Sequence, residues 1–189
     1  LGIAKSQNAD VEIRVHPTLV PKNRLVANVD GAMNAVLVHG NMVGPTLYYG
    51  AGAGAEPTAS AVVADVIDIA RQTKLSQDTL IPSLGFMPDK INEKNILSIE
   101  NIFSEYYLRF TMKNQAGLLA KITNIFADHD ISINSMVHKE VQENNQNPDI
   151  FLITSKTKEA DIDIIISEIE LLPENTEKVV KIRTEELNK

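Results

Sequence analysis

Between Tyr106 and Thr184 the apolar residues switch repeatedly between strand spacing and helix spacing, and no other feature of the chain constrains its fold as tightly. Tyr106-Tyr107-Leu108-Arg109-Phe110-Thr111-Met112 reads as a strand. Gly117 to His129 reads as a helix with Leu118, Ile122, Ile125 and Phe126 inward. Ile131 to Lys139 and Asp149 to Thr154 are two more strands, separated by the polar turn Glu143-Asn144-Asn145-Gln146-Asn147-Pro148. In Lys158 to Leu172 the residues Ile162, Ile165, Ile166, Ile169 and Leu172 form one stripe, and Pro173 marks the helix end. Lys178 to Arg183 is the last strand. The order is βαββαβ. With right-handed crossovers it closes as a four-stranded antiparallel sheet carrying both helices on one face, the ferredoxin-like arrangement. Ile164 departs from the inward stripe, which suits pairing of two such domains and is equally ordinary for a surface residue.

A chain of 189 residues has room for a second block, and one precedes the first. Val11-Glu12-Ile13-Arg14-Val15 alternates as a half-buried strand, and Pro17 and Pro21 disfavour a central strand after it. Ala35–Val38 and Val43–Tyr49 read as a hairpin. Its turn is predicted at His39-Gly40-Asn41-Met42, with Gly40 and Asn41 supplying positive φ. After the run Gly50-Ala51-Gly52-Ala53-Gly54, Pro57 suits a first helical turn. Ala59, Val62, Val63, Val66 and Ala70 then line one face of a helix ending near Gln72, with Asp65 and Asp68 opposite. Thr73 to Ser104 has no sustained period and reads as a linker with a short helix near Ile99–Phe103.

Charge and composition exclude several functions. A net charge of −7 without any dense basic stretch argues against nucleic acid. The longest apolar stretch, Ala59–Ala70, is broken by Asp65 and Asp68, so no membrane span is expected. The absence of Cys removes disulfides and thiolate metal sites and fits a cytoplasmic protein. Leu1-Gly2-Ile3-Ala4-Lys5 has neither an initiator Met nor the apolar core of a signal peptide, so the sequence reads as a piece of a longer protein.

Glycines at alternate positions beside a helix start leave bare backbone where a flat or anionic ligand can approach. Tight packing of strand on helix explains them as well. The run is no dinucleotide fingerprint, because Pro57 stands where a third glycine belongs. His16 and His39 lie beside turns, Asp65 and Asp68 sit on a polar helix face, and His129 and His138 lack metal-ligand spacing, so no metal site is expected.

Val15-His16-Pro17-Thr18-Leu19-Val20-Pro21, then Leu25-Val26-Ala27-Asn28-Val29-Asp30-Gly31-Ala32-Met33-Asn34-Ala35-Val36, then Gly50–Gly54 with Pro57-Thr58-Ala59-Ser60-Ala61-Val62, resemble three stretches of bacterial homoserine dehydrogenases. The resemblance implies that the strands belong to the mixed, dimer-forming sheet of a substrate domain, and that the following helix returns to a nucleotide-binding domain. It places cofactor contact at Gly54, with Gly52 and Ala53 beside it. It also implies NAD or NADP in the full-length enzyme. The family's catalytic D-x-x-G-x-D-A-x-x-K segment and its G-x-G-x-x-G unit do not occur here. No catalytic residue is therefore expected in this piece, which alone should neither bind cofactor nor turn over substrate.

Thr111-Met112-Lys113-Asn114-Gln115-Ala116-Gly117-Leu118-Leu119-Ala120-Lys121-Ile122 resembles the strand–loop–helix signature of ACT domains, and Ser132-Ile133-Asn134 their second-strand motif. The resemblance implies an amino-acid effector, L-threonine, at Asn114, Gln115, Ala116, Gly117, Leu118, Leu119 and Asn134, in a homodimer. Plain turn chemistry explains Asn114 as well. The expectation is an α+β chain: a C-terminal catalytic part over 1–72, a linker over 73–104 and an ACT domain over 105–189. Two alternatives stay open: a free-standing amino-acid-binding ACT module, and an ACT dimerisation scaffold without ligand.

Overall fold

The computed structural model describes residues 1–7, 10–74, 82, 84–139 and 147–187. The architecture is α+β with three α-helices among the described residues. It divides into two compact units, Leu1–Pro21 with Lys94–Glu186, and Lys22–Glu93 with Leu187–Lys189.

The first unit is built on β6 (Phe103–Thr111), α2 (Leu118–Asp128), β7 (Ile133–His138), β8 (Asp149–Thr154), α3 (Glu159–Glu170) and β10 (Val180–Thr184). The sheet runs β10-β6-β8-β7, every neighbouring pair antiparallel, as the βαββαβ pattern predicts. Along β6, Ser104, Tyr106, Leu108 and Phe110 are buried and the residues between them are not, which is the two-residue period of a strand covered on one face. That buried face meets Leu118, Ile122 and Phe126 from α2, and Ile162, Ile165 and Ile169 from α3. Each fully buried side chain of this size stabilises by about 1.5–3 kcal/mol, far more than helix propensity supplies, so packing fixes both helices in place. Ile164 faces out, 49% exposed. Most of the predicted 143–148 turn lies outside the described residues, which include only Asn147 and Pro148 of it.

Residues from the first block enlarge this sheet. β3 (Thr18–Leu19) pairs in parallel with β10, and the Glu185 N–H donates to the Leu19 carbonyl at 2.9 Å. A two-residue edge strand between Pro17 and Pro21 is what those prolines permit. The predicted strand is β2 (Asp10–Val15). Its partner β1 (Gly2–Gln7) escaped the sequence reading. Val11 also bridges to Ile96, beyond the predicted linker's midpoint. Arg14, 4% exposed, holds this hairpin down: it reaches Glu12 at 2.6 Å and Glu185 at 2.8 Å, while Lys5 reaches Glu185 at 2.7 Å. The predicted short helix is one 3-10 turn at Ile99–Asn101, and β9 (Thr157–Lys158) pairs with the start of β6.

The second unit holds the hairpin of β4 (Met33–Gly40) and β5 (Gly44–Ala51), followed by α1 (Ala55–Gln72). One expectation is corrected here. The turn is Asn41-Met42-Val43, and the positive φ falls on Gly44 (76°), not on Gly40 or Asn41. A three-residue loop closed by a left-handed glycine replaces the two-residue turn. Helix α1 has the predicted apolar stripe, yet none of its residues is buried, and Val62, Val66 and Ile69 are 56–62% exposed. No helix is long and apolar enough to cross a membrane among the described residues.

Candidate functional site

At the end of β6 the chain leaves the sheet through Met112, crosses Lys113-Asn114-Gln115-Ala116 and enters α2 at Gly117. Gly117 has φ 84°, a left-handed conformation that a residue with a Cβ adopts only at a cost. Among the described residues no side chain caps this helix. Leu118 donates its N–H to the Gln115 carbonyl at 3.2 Å and turns its side chain into the core. The first-turn N–H groups of Leu119 and Ala120 have no intrahelical acceptor and point out beside an exposed loop. The helix dipole adds to them, so the spot favours a carboxylate. Asn114, Gln115 and Ala116 are all exposed there.

Asn134 is not part of this cluster within one chain. It occupies a β-bulge in β7, where the register shifts between Ile133 and Ser135. Its amide donates to Glu105 Oε1 at 3.4 Å and to the Thr154 carbonyl at 3.2 Å. Glu105 lies at the start of β6 and Thr154 at the end of β8 beside it, whereas the loop follows the end of β6, roughly 20 Å of strand away.

Two arrangements of charge were not legible beforehand. At the start of β6, Glu159 is 3% exposed and receives the Tyr106 hydroxyl at 2.7 Å, Lys181 Nζ at 2.6 Å, and Arg183 through Nε at 2.7 Å and Nη2 at 2.5 Å. Burial pushes the Glu159 carboxyl up, but the hydrogen bonds from Arg183, Lys181 and Tyr106 outweigh it and hold it below the ordinary carboxylate range. Burial and the Glu159 carboxylate push the Tyr106 hydroxyl upward, so it stays a neutral donor. At the other end of β6, Glu174 is 5% exposed and its Oε1 accepts from Lys121 Nζ at 2.5 Å, one turn into α2. Several acids flank the second apolar stripe at each end, and nothing in the sequence singles out these two.

In the other unit, Gly52 donates its N–H to the Ala32 carbonyl at 3.1 Å, and a Cβ on it would stand 1.6 Å from Asn34 Nδ2. The glycine permits this close approach, and a side chain there would push the exposed Asn34 amide aside. Gly54 caps α1 with φ 143° and is exposed, as are Ala53 and the helix start. A cleft of about 710 Å³ lined by Arg24, Leu25, Leu37, His39 and Leu47 lies toward the hairpin's other end, away from the glycine run.

The histidines hold local positions. His16 Nδ1 bonds the Pro17 carbonyl at 2.9 Å, and its Nε2 faces Arg14 at 3.3 Å. Burial, with Arg183 and Arg14 nearby, lowers its pKa despite that carbonyl. His129 meets Glu168 at 2.8 Å, and His39 and His138 are exposed. Asp65 is exposed and Asp68 accepts from Gln72 at 2.8 Å. Among the described residues no three metal-ligating side chains converge.

Comparison with known proteins agrees with this geometry. The family model for homoserine dehydrogenase matches residues 1–67, and that for the ACT domain residues 106–174. A homoserine dehydrogenase of Pseudomonas aeruginosa is 45% identical over 188 residues, covering 100% of this chain and 43% of its own length. One from Bacillus subtilis is 31% identical, covering 89% of this chain and 38% of its own length. The crystal structure of a homoserine dehydrogenase from Thiobacillus denitrificans superposes with a TM-score of 0.89 at 49% identity, over 99% of this chain and 42% of that one. The chain thus spans less than half the length of the relatives it matches. Over that span it corresponds to the C-terminal part of the homoserine dehydrogenase family, the end of the dehydrogenase region followed by an ACT domain.

Proposed function

We propose that the chain serves an NAD(P)-dependent homoserine dehydrogenase, which interconverts L-homoserine and L-aspartate 4-semialdehyde on the way to threonine and methionine in the cytoplasm. The ACT unit is its amino-acid sensor, with L-threonine as effector. The observation that carries the sensor reading is the uncapped start of α2, where Leu119 and Ala120 offer N–H groups behind the exposed Asn114–Gly117 loop. Asn134 joins the same site only from a second copy, since a strand length separates it from the loop within one chain. Homodimerisation follows, through the edge strand β7, where Val137 is 58% exposed.

Functionally, residues 1–72 complete the catalytic region, 73–104 connect, and 105–189 regulate. The exposed Gly52-Ala53-Gly54 backbone fits the edge of a flat ring such as nicotinamide. It suits a diphosphate poorly, because Glu56 puts a negative charge in the first turn of α1. The cofactor supplies and accepts the hydride. These residues give it a surface to lie on, and no group here moves the hydroxyl proton, so this piece alone is inactive.

Steady-state oxidation of homoserine by the whole protein, with and without threonine, tests both halves. The expected result is NAD(P)-dependent turnover that threonine inhibits, with inhibition lost when 105–189 is removed. No turnover would remove the enzyme reading. Turnover indifferent to threonine would remove the sensor reading.

A further inference from the structure

An α-amino acid presents two charges, and the loop at the end of β6 answers one of them. Lys113 to Lys121 contains no acidic residue, while the start of α2 favours a carboxylate. An ammonium group bound there needs an acceptor from another part of the chain.

The segment between α3 and β10 supplies one. It folds back on the end of β6: Lys113 donates its N–H to the Glu174 carbonyl at 2.9 Å, Thr176 donates its N–H to the Thr111 carbonyl at 3.1 Å, and Met112 bridges to Asn175. This places Glu174 against the loop with its side chain almost wholly buried. Its Oε1 already accepts an ammonium, that of Lys121. Among the described residues no other residue donates to its buried Oε2, nor to the buried Oδ1 of Asn175 beside it. Buried acceptors are nearly always satisfied in folded proteins, so two orphans on adjacent residues call for a donor. The Lys121 hydrogen bond holds the Glu174 carboxyl below its ordinary range, so the acceptor carries full negative charge at neutral pH. Lys121 itself is half exposed.

We propose that Glu174, assisted by Asn175, accepts the α-ammonium of the effector, while Leu119 and Ala120 take its α-carboxylate. This rests on the loop being the amino-acid site, as read above, and adds the residue that makes it select an amino acid over a simple hydroxy acid.

The test is calorimetric titration of the full chain with L-threonine and with 3-hydroxybutyrate, which lacks the ammonium, on the wild type, E174Q, E174D, N175A and K121M. Wild type should prefer threonine by at least about tenfold. E174Q should lose about tenfold for threonine and nothing for 3-hydroxybutyrate, and E174D should restore part of the loss. N175A, which leaves the ion pair intact, should lose about threefold for threonine alone. K121M should keep threonine binding, since the acceptor remains. Threonine binding unchanged in E174Q and N175A, or equal loss of both ligands, would overturn the proposal and leave the loop site standing. Absence of amino-acid binding by the wild type would overturn both together.

Discussion

Glu159 shows how much one side chain organises in this fold. It is the meeting point of Tyr106, Lys181 and Arg183, and its removal strands a half-buried guanidinium and a buried hydroxyl. E159A should lower stability by about 3–5 kcal/mol, read from urea unfolding. Y106F removes one donor and leaves the ion pairs, so its cost should be smaller, about 1–2 kcal/mol. The same residue sets part of the acid response. Its folded pKa lies below the ordinary 4.5, so its stabilisation is present above pH 4.5 and lost as pH falls through the folded value. His16 acts in a higher window. Its folded pKa lies below the ordinary 6.5, the unfolded chain binds the proton more readily, and stability falls as pH drops below 6.5. Unfolding followed from pH 8 to 3 should therefore weaken in two stages, and H16N should erase the upper one. Gly117 is the third sensitive position: at φ 84°, G117A should cost about 1–2 kcal/mol and disturb the start of α2.

At the scale of elements, what the sequence revealed and what it hid divide along local against distant contacts. β6, α2, β8, α3 and β10 were readable because each carries its own period, and the buried residues are those of the predicted stripes. The hairpin turn was misplaced because Gly40 and Gly44 both flank it, and only register decides which takes positive φ. Nothing local marks β3: its two residues are a strand only because β10 lies beside them. β1 was missed for a similar reason, since Gly2–Gln7 alternates too weakly to be read apart from β2. Of the candidate site, the loop was legible from its glycine and its resemblance, whereas Glu174 reaches it through an ion pair spanning 53 residues. The β10–β3 pairing joins the ACT sheet directly to the end of the dehydrogenase region, which makes that junction testable. Arg14 is buried against Glu12 and Glu185 and keeps Glu12 when Glu185 is neutralised, so E185Q should cost about 1–2 kcal/mol and loosen β1 and β2. Amide exchange in residues 10–19 should quicken before exchange in α2 or α3 does.

Across the whole molecule, one unit carries the core and the other carries an apolar surface. Every residue of α1 is open to solvent, Val62, Val66 and Ile69 among them, and such a stripe belongs under a partner surface. The relatives are more than twice as long, and their remaining length is the expected cover. Amide exchange in α1 should accordingly be fast in this chain and strongly slowed in the whole protein. The sensing unit needs no such cover, because its core closes on itself between sheet and helices. Effector binding is therefore measurable on this chain directly, and the decisive measurement is calorimetric titration with L-threonine, with methionine, isoleucine and serine as controls. The account predicts selective binding of threonine, at one ligand per chain or per pair of chains. A folded chain that binds none of the four, or all four alike, would contradict it.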